Sequence, residues 1–264
     1  MCGIAGYSIS PASGLDRTLA AQTLLAAIAE RGADAVGYAY RSPEDGQPTV
    51  VKQRTPASEL LERVAVPDSA TQLLVHVRDY TKGHPSISAN NHPVRHGPVI
   101  GVHNGIIVND DELLVEHSCS RAEPRMTVDS EAIFALAAHS RNDVRALEAL
   151  AGSMAAAWLD AREPELVFAA RGIGRPLWLG EGPTGVFFAS TAVALELCEH
   201  YCGLKLRKRE LPDGSLLTLR AGKVARRERF KTRAFVEQDV LPAVRAPQER
   251  EFCLTRLASI AAAA

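Results

Sequence analysis

Short apolar runs bounded by Gly, Pro or polar residues recur along most of the chain and predict β-strands. The first run covers 3–9 and begins almost at the N-terminus, so we expect this terminus to lie inside a sheet. Further strands are predicted at 35–40, 49–52, 72–77, 99–103, 154–160, 165–170, 176–180, 185–190, 204–211 and 215–222. Short strands joined by turn residues favour antiparallel pairing.

Longer segments carry apolar residues three and four positions apart, which is the spacing of an amphipathic helix. Segment 15–30 has this spacing and ends at Arg31-Gly32, where Gly is a common helix terminator. Helices inserted among short strands predict a layered α+β domain in which helices cover stacked sheets. Further helices are predicted at 129–139, 143–150, 191–199 and 237–264, the last broken early by Pro242 and Pro247.

Composition and charge narrow the class of protein without indicating a partner. The 264 residues are 46% hydrophobic and 23% charged, as in an ordinary globular protein. Lys+Arg and Asp+Glu number 30 and 31, so net charge gives no reason to expect a nucleic-acid or membrane partner. There is no secretory signal and no apolar run of ~18 residues, and the five cysteines are widely spread, so we expect a soluble cytoplasmic protein without a disulfide framework.

The second residue, Cys2, is the first candidate for chemistry. Once Met1 is removed, its thiol (pKa ~8.5) stands beside its own α-amine (pKa ~7.7 to 8), and the two can exchange a proton near neutral pH. One residue then supplies both nucleophile and general base, as in enzymes with an N-terminal nucleophile. Taken alone, a chance cysteine at position 2 is the alternative.

Six motifs along the chain make a chance cysteine at position 2 the weaker interpretation. In order, the chain contains MCGIAGY, ERGADAVGYAY, HVRDYTKG, NNHPV, VHNGIIVN and TVDSEAIFAL. Over about residues 2–220 it resembles the class II glutamine amidotransferase (glutaminase) domains of the N-terminal-nucleophile (Ntn) hydrolase superfamily. The resemblance implies a four-layer αββα sandwich of two mainly antiparallel sheets covered by helices, with 2–228 as the amidotransferase domain and 229–264 as a helical tail.

The resemblance assigns an oxyanion hole to two adjacent residues, Asn104 and Gly105. Hydrolysis of a carboxamide develops an oxyanion, and the Asn side-chain amide and the Gly backbone N–H would donate to it. The alternative is that Asn-Gly is simply a hairpin turn.

The resemblance also implies how glutamine is held. Arg78 would bind the α-carboxylate in bidentate geometry, Thr81 would line the same pocket, and Asp129 would bind the α-ammonium. Alternatively, Asp129 or the nearby Thr127 caps the helix that follows. Arg31 and Asp34 match a motif near the site, where we expect a supporting pair that fixes the loop after the first helix.

Local sequence departs from one branch of the family next to the predicted carboxylate site. The hexosamine-forming branch has Arg-Trp-Ala-Thr-His-Gly, whereas 78–83 here reads Arg-Asp-Tyr-Thr-Lys-Gly. This run, and the Asp-Ser-Glu at 129–131, are closer to the branch that makes phosphoribosylamine.

No metal or cofactor is expected, because a nucleophile with its own amine needs neither. His76, His92 and His103 are expected to be buried or loop histidines, and Cys198 and Cys202 to be core cysteines. Segment 205–233 is rich in Lys and Arg, which suits exposed strand edges; a docking face for an acidic partner is the alternative.

The expected function is hydrolysis of L-glutamine to glutamate and ammonia through a Cys2 thioester, with ammonia delivered to a separate synthase or synthetase. Two alternatives keep the fold. One is a stand-alone hydrolase of a γ-glutamyl amide, and the other is a catalytically silent regulatory subunit.

Overall fold

The computed structural model describes residues 1–42, 44–238 and 241–263, and it contains two antiparallel sheets with helices on their outer faces. The strands are β1 (Gly3–Ile9), β2 (Ala35–Arg41), β3 (Thr49–Gln53), β4 (Gln72–Arg78), β5 (Val94–His96), β6 (Val99–Ile107), β7 (Gly152–Asp160), β8 (Leu166–Arg171), β9 (Trp178–Glu181), β10 (Gly185–Ala189), β11 (Arg207–Glu210), β12 (Ser215–Arg220) and β13 (Lys223–Arg229). The α-helices are α1 (Arg17–Ile28), α2 (Ala57–Leu60), α3 (Asp110–Glu116), α4 (Glu131–Ser140), α5 (Ala192–Cys202) and α6 (Pro247–Ala263).

The first sheet has the strand order β11-β9-β10-β1-β4-β2-β3, and the second has the order β13-β12-β8-β7-β6-β5. Strand β1 lies in the interior of the first sheet, where it pairs antiparallel with β10 on one side and β4 on the other. The terminus is therefore held in the middle of a sheet, as the first apolar run predicts.

Three separate apolar clusters show that the molecule has four layers. One lies between the two sheets and contains Ile4, Leu74 and Val102. A second lies between the first sheet and the helices α1, α5 and α6, and a third lies between the second sheet and the helices α3 and α4. Because side chains alternate along a strand, Ile4 faces the second sheet while Ala5 and Tyr7 face the helices. This is the predicted αββα sandwich.

Several element boundaries differ from the sequence prediction. Segment 144–149 forms a 3-10 helix instead of an α-helix, and helix α4 begins at Glu131 instead of Asp129. The predicted C-terminal helix begins at Pro247, not at 237, because Pro fits the first turn of a helix, where no N–H is required. Its predicted residues 239, 240 and 264 lie outside the described part of the chain.

Two further strands, β5 and β13, escaped prediction. Strand β5 has only three residues, and β13 (KVARRER) is too polar to show an apolar period. Strand β13 forms one edge of the second sheet and β11 one edge of the first, so the basic segment does lie on strand edges. Part of its charge is paired: Glu181 accepts from Arg207 and Arg227 at 2.7 and 2.6 Å.

The C-terminal part of the chain packs back onto the domain. Helix α6 lies against α1, and its Cys253 and Leu257 are fully buried in the same cluster as Leu24 and Leu25. In α5, Cys198 is also buried in this cluster, as expected for a core cysteine. Within the described residues, no helix is long and apolar enough to cross a membrane.

Candidate active site

A small cleft with about 220 Å³ of empty space opens where β1, β4 and β6 come together. It is lined by residues from distant parts of the sequence: Cys2, Arg78, Asp79, Tyr80, Thr81, Lys82, His92, His103, Gly105, Val128, Asp129 and Ser130. Five of the residues predicted to act on glutamine are among them: Cys2, Arg78, Thr81, Gly105 and Asp129. The sixth, Asn104, stands in the sequence between the lining residues His103 and Gly105.

Cys2 directly precedes β1, so the sheet fixes its position. Its Sγ lies 3.3 Å from the carbonyl oxygen of Asp79, and the Asp79 N–H donates to Sγ at 3.5 Å. Burial raises the pKa of this thiol, while the contact with the Asp79 backbone and the charge of Arg78 act in the opposite direction. The α-ammonium of Met1 donates to the Asp79 carboxylate.

The loop after α1 supports the residues around Cys2. Arg31 Nε donates to the Cys2 carbonyl at 2.9 Å. The Asp34 N–H donates to the Arg78 carbonyl at 2.9 Å, and the Asp34 carboxylate accepts the Tyr80 N–H at 2.9 Å. A side chain at Gly32 would collide with the Arg78 carbonyl, so this glycine permits the close approach. Arg31 and Asp34 thus each contact the backbone next to Cys2 or Arg78, and their supporting role stays a prediction.

Strand β6 carries Asn104 and Gly105 past the cleft. The Asn104 side chain is completely buried, and among the described residues neither its Nδ2 nor its Oδ1 has a hydrogen-bond partner. Gly105 has φ 149°, and a Cβ there would collide with the Ser153 carbonyl. The two residues sit within a strand that pairs with β7, so Asn-Gly is not a hairpin turn here.

Arg78 ends β4 and is 2% exposed. Its Nη1 donates to Asn91 Oδ1 at 2.6 Å, and its Nη2 donates to the backbone carbonyls of Lys82 (2.9 Å) and Gly83. Its Nε–H and one Nη1–H have no acceptor among the described residues. The guanidinium therefore shapes the 82–83 turn.

Asp129 is 3% exposed, and its carboxylate accepts the Ile107 N–H at 2.7 Å. Burial is the main reason that the pKa of Asp129 is raised to about 6, with the nearby Asp110 adding to the effect. The helix that follows begins two residues later, and its N-cap residue Ser130 makes no side-chain capping bond. The side chain is thus directed to the end of β6 and the cleft.

His92 and His103 line the cleft, His76 stacks on His92, and all three histidines are buried, as expected. The rings of His76 and His92 stack with centroids 4.1 Å apart, and His103 Nδ1 lies 2.8 Å from the Ser130 hydroxyl. Burial lowers the pKa of His76 and His103 to about 3 and lowers that of His92 as well, so all three are neutral at physiological pH. Both nitrogens of His92 are without a partner among the described residues.

Sequence reasoning missed several residues that line the cleft. Lys82 reaches Asp110 at 2.7 Å and Asp111 at 3.0 Å, which ties the 78–83 turn to α3. His92 and His103 were set aside as structural, and Asp79 was noted only as a departure from a motif. For Asp79, Lys82 and His103, the signal in the sequence is their closeness to Thr81 or Asn104, whereas His92 has no such neighbour.

Sequence similarity relates the chain to known glutamine amidotransferases. A sequence model described as a glutamine amidotransferase domain matches residues 70–197. Among curated proteins, glutamine–fructose-6-phosphate aminotransferase (isomerizing) of Aquifex aeolicus is 32% identical over 206 residues, which cover 74% of this chain and 33% of that protein. The corresponding protein of Chlamydia muridarum is 29% identical over 235 residues, covering 84% and 36%. The chain thus spans about a third of the length of these relatives.

Solved structures have the same fold. Glutamine phosphoribosylpyrophosphate amidotransferase from B. subtilis aligns with TM-score 0.65 and 18% identity over 86% of this chain and 49% of its own. A glutamine aminotransferase class-II domain protein from Silicibacter pomeroyi aligns with TM-score 0.55 and 19% identity over 87% of this chain and all of its own. The chain therefore belongs to the glutamine amidotransferase domain family and has the Ntn-hydrolase fold of its class II members.

Proposed function

We propose that the chain hydrolyses L-glutamine to glutamate and ammonia through a thioester on Cys2, in the form from which Met1 has been removed. The observation that carries the proposal is the buried Asn104 amide, which has no partner among the residues that the structure describes and lies in a strand that passes the same cleft as the Cys2 thiol. Buried polar groups without partners are rare, and a donor kept for a transient oxyanion explains this one.

In the first half of the reaction, the Cys2 α-amine takes the proton of the thiol, and the thiolate attacks the side-chain carbonyl carbon of glutamine. The Asn104 Nδ2–H and the Gly105 N–H stabilise the oxyanion that forms. The α-ammonium then returns its proton to the leaving nitrogen, the C–N bond breaks, and ammonia departs from the thioester.

In the second half, the α-amine takes a proton from water, whose oxygen attacks the thioester carbon. The C–S bond breaks, and the proton returns to sulfur. Arg78 and Thr81 bind the α-carboxylate of the substrate, and Asp129 binds its α-ammonium. Asp129 must be ionised for this contact, which requires a pH above about 6.

The ammonia is proposed to pass to a separate synthase or synthetase in the cytoplasm. Support comes from the family, since the glutamine–fructose-6-phosphate aminotransferases are about three times as long as the part that this chain matches. No residue of the chain is assigned to the acceptor reaction.

The proposal is tested with protein whose intact mass shows that Met1 is absent. We expect glutamate release from glutamine, loss of this activity in Cys2→Ala, and retention in Cys119→Ala, which alters a cysteine outside the cleft. A glutamine analogue bearing an electrophile should add one mass increment at Cys2. Absence of both glutamate release and the adduct contradicts the proposal. Faster turnover of γ-glutamyl alkylamides than of glutamine would instead identify a γ-glutamyl amide hydrolase.

A further inference from the structure

Asp79 occupies an unusual position because it contacts both the side chain of Cys2 and the charged chain terminus at Met1. Its backbone brackets the Cys2 sulfur, with the carbonyl oxygen at 3.3 Å and the N–H at 3.5 Å. Its carboxylate, 12% exposed, accepts from the α-ammonium of Met1. A carboxylate is thus held where a positively charged chain terminus lies.

Loss of Met1 moves the terminal ammonium by one residue, and consecutive Cα atoms are only about 3.8 Å apart. The new ammonium belongs to Cys2, whose side chain already contacts Asp79 and whose carbonyl is held by Arg31. The carboxylate that pairs with the Met1 ammonium therefore remains within reach of the Cys2 ammonium.

A second charged group shares this carboxylate. Arg245, in the segment between β13 and α6, has its Nε 3.4 Å from the Asp79 carboxylate. The segment is anchored there because the backbone N–H groups of Arg245 and Ala246 both donate to the Glu30 carbonyl at 2.9 Å. Arg250, five residues further on and within α6, pairs with the Glu30 carboxylate at 2.9 Å and forms no ion pair with Asp79.

Resting on the proposed function, we propose that Asp79 is the positioning residue and counter-ion of the Cys2 α-amine in the processed chain, and that Arg245 tunes it by sharing the carboxylate. The C-terminal segment thereby contributes a residue to the catalytic machinery. Asp79 orients the amine toward the thiol and stabilises its protonated form; Arg245 weakens that stabilisation.

Other charged groups lie around Arg31 and Arg78, the two arginines whose charges act on Cys2 or interact with it, and set a common background. They come from the α1–β2 loop, β4, the loop before β9 and the loop before α4, and they are Glu30, Arg31, Asp34, Arg78, Arg175 and Asp129. His92 and His103 line the cleft in neutral form. Because these groups stay in place in the variants below, the variants report on Asp79 and Arg245.

The two substitutions have effects of opposite sign. Asp79→Asn removes a negative charge, so the ammonium is less stable and the acidic limb of the kcat/KM profile should move to lower pH by about one unit. Arg245→Gln removes a positive charge, so the acidic limb should move to higher pH by about half a unit, since this side chain is 40% exposed. Arg250→Gln is the matched control and should leave the limb in place.

The test combines this profile with a readout that needs no activity. Each Met1-free variant is labelled with isotopic cysteine, and the pH titration of the Cys2 amino group is followed by NMR. Shifts of opposite sign for Asp79→Asn and Arg245→Gln, in both readouts, support the proposal. An unchanged amine titration in Asp79→Asn overturns it, and an equal shift in Arg250→Gln overturns the role of Arg245. If the wild type releases no glutamate, the proposed function fails, and the NMR titration still decides the proposal about Asp79.

Discussion

Two buried arginines lie at opposite ends of the strands of the first sheet, and their hydrogen bonding differs. Arg41 ends β2 and is completely buried, yet every arm of its guanidinium has an acceptor: Gln72 Oε1 at 2.7 Å and the carbonyls of Asp160, Glu163 and Leu166 at 2.8, 3.2 and 2.9 Å. Burial lowers its pKa to about 10, which keeps it charged at neutral pH. This network joins the two sheets.

Arg78 lies at the opposite end, since the antiparallel register of β2 and β4 pairs Ala35 with Arg78 and Arg41 with Gln72. There the guanidinium donates only through Nη1 and Nη2 to acceptors among the described residues, and both polar atoms of the buried Asn104 side chain have no partner within that part of the chain. Saturated buried polar groups hold a fold together, whereas unsaturated ones are retained at a cost to stability. The contrast distinguishes an arginine that holds the fold together from one for which we propose a ligand-binding role.

The largest expected effect is on stability at the saturated end. Arg41→Met leaves one side-chain acceptor and three backbone carbonyls without their donor, and should lower the free energy of unfolding by about 3–5 kcal/mol. Urea denaturation measures this. Arg207→Met, at a side chain that is 78% exposed, is the control and should change stability by less than about 0.5 kcal/mol. A small effect of Arg41→Met would break the contrast.

The next effect concerns catalysis at the unsaturated end. Asn104→Ala should lower kcat for glutamine by about 10²–10³-fold through loss of an oxyanion donor, with the free energy of unfolding unchanged or slightly increased. Asn109→Ala is the matched control, because its amide is satisfied by Ala149 O at 3.0 Å and the Ala151 N–H at 2.9 Å. It should lose stability and retain kcat. If both substitutions changed kcat and stability in the same way, the presence or absence of hydrogen-bond partners would not distinguish the two ends of the sheet.

The smallest expected effect is a pH dependence of the free energy of unfolding that comes from Asp129. Since burial raises the pKa of Asp129 to about 6, the folded protein keeps a proton that the unfolded chain loses near pH 4. The free energy of unfolding should therefore fall as pH rises from about 4 to about 6, by at most about 3 kcal/mol, and Asp129→Asn should lack this loss.

Urea denaturation at several pH values tests this dependence, with the exposed Asp213→Asn as control. The KM for glutamine should rise below about pH 6, where Asp129 becomes neutral and no longer attracts the substrate ammonium. Parallel stability profiles for wild type and Asp129→Asn would contradict the assigned burial effect.

Much of the fold could be predicted from local pattern. The strand alternation of β1 and the helical spacing of α1 need only neighbouring residues, and both were placed correctly. The helix predicted at 143–150 is present as a 3-10 helix at 144–149, and only the predicted start of α6 was wrong. The choice between helix types and the position of a proline in the first turn depend on tertiary contacts. Strand β13 shows no apolar period, since it is an edge strand with mostly exposed side chains.

The candidate site was predictable where a motif marked it and not elsewhere. Cys2, Asn104 and Asp129 all belong to motifs. Cys2 and Asp129 line the cleft, and Asn104 lies next to the lining residue Gly105. The roles proposed for Asp79 and Arg245 depend on a chain terminus, a strand end and a distant segment meeting at one carboxylate. No local pattern encodes such a meeting.

The central place of β1 has a consequence for synthesis. One side of β1 pairs with β4, but its other neighbour, β10, spans Gly185–Ala189 and is made much later. At about 5–20 residues per second, roughly 5 to 20 seconds separate the emergence of these two partners. During that interval Met1 is accessible to an aminopeptidase on the ribosome, whereas in the folded chain its ammonium contacts Asp79 and its side chain is only 14% exposed. If Cys2 is the nucleophile as proposed, we expect Met1 to be removed during translation, before β1 is enclosed by β10.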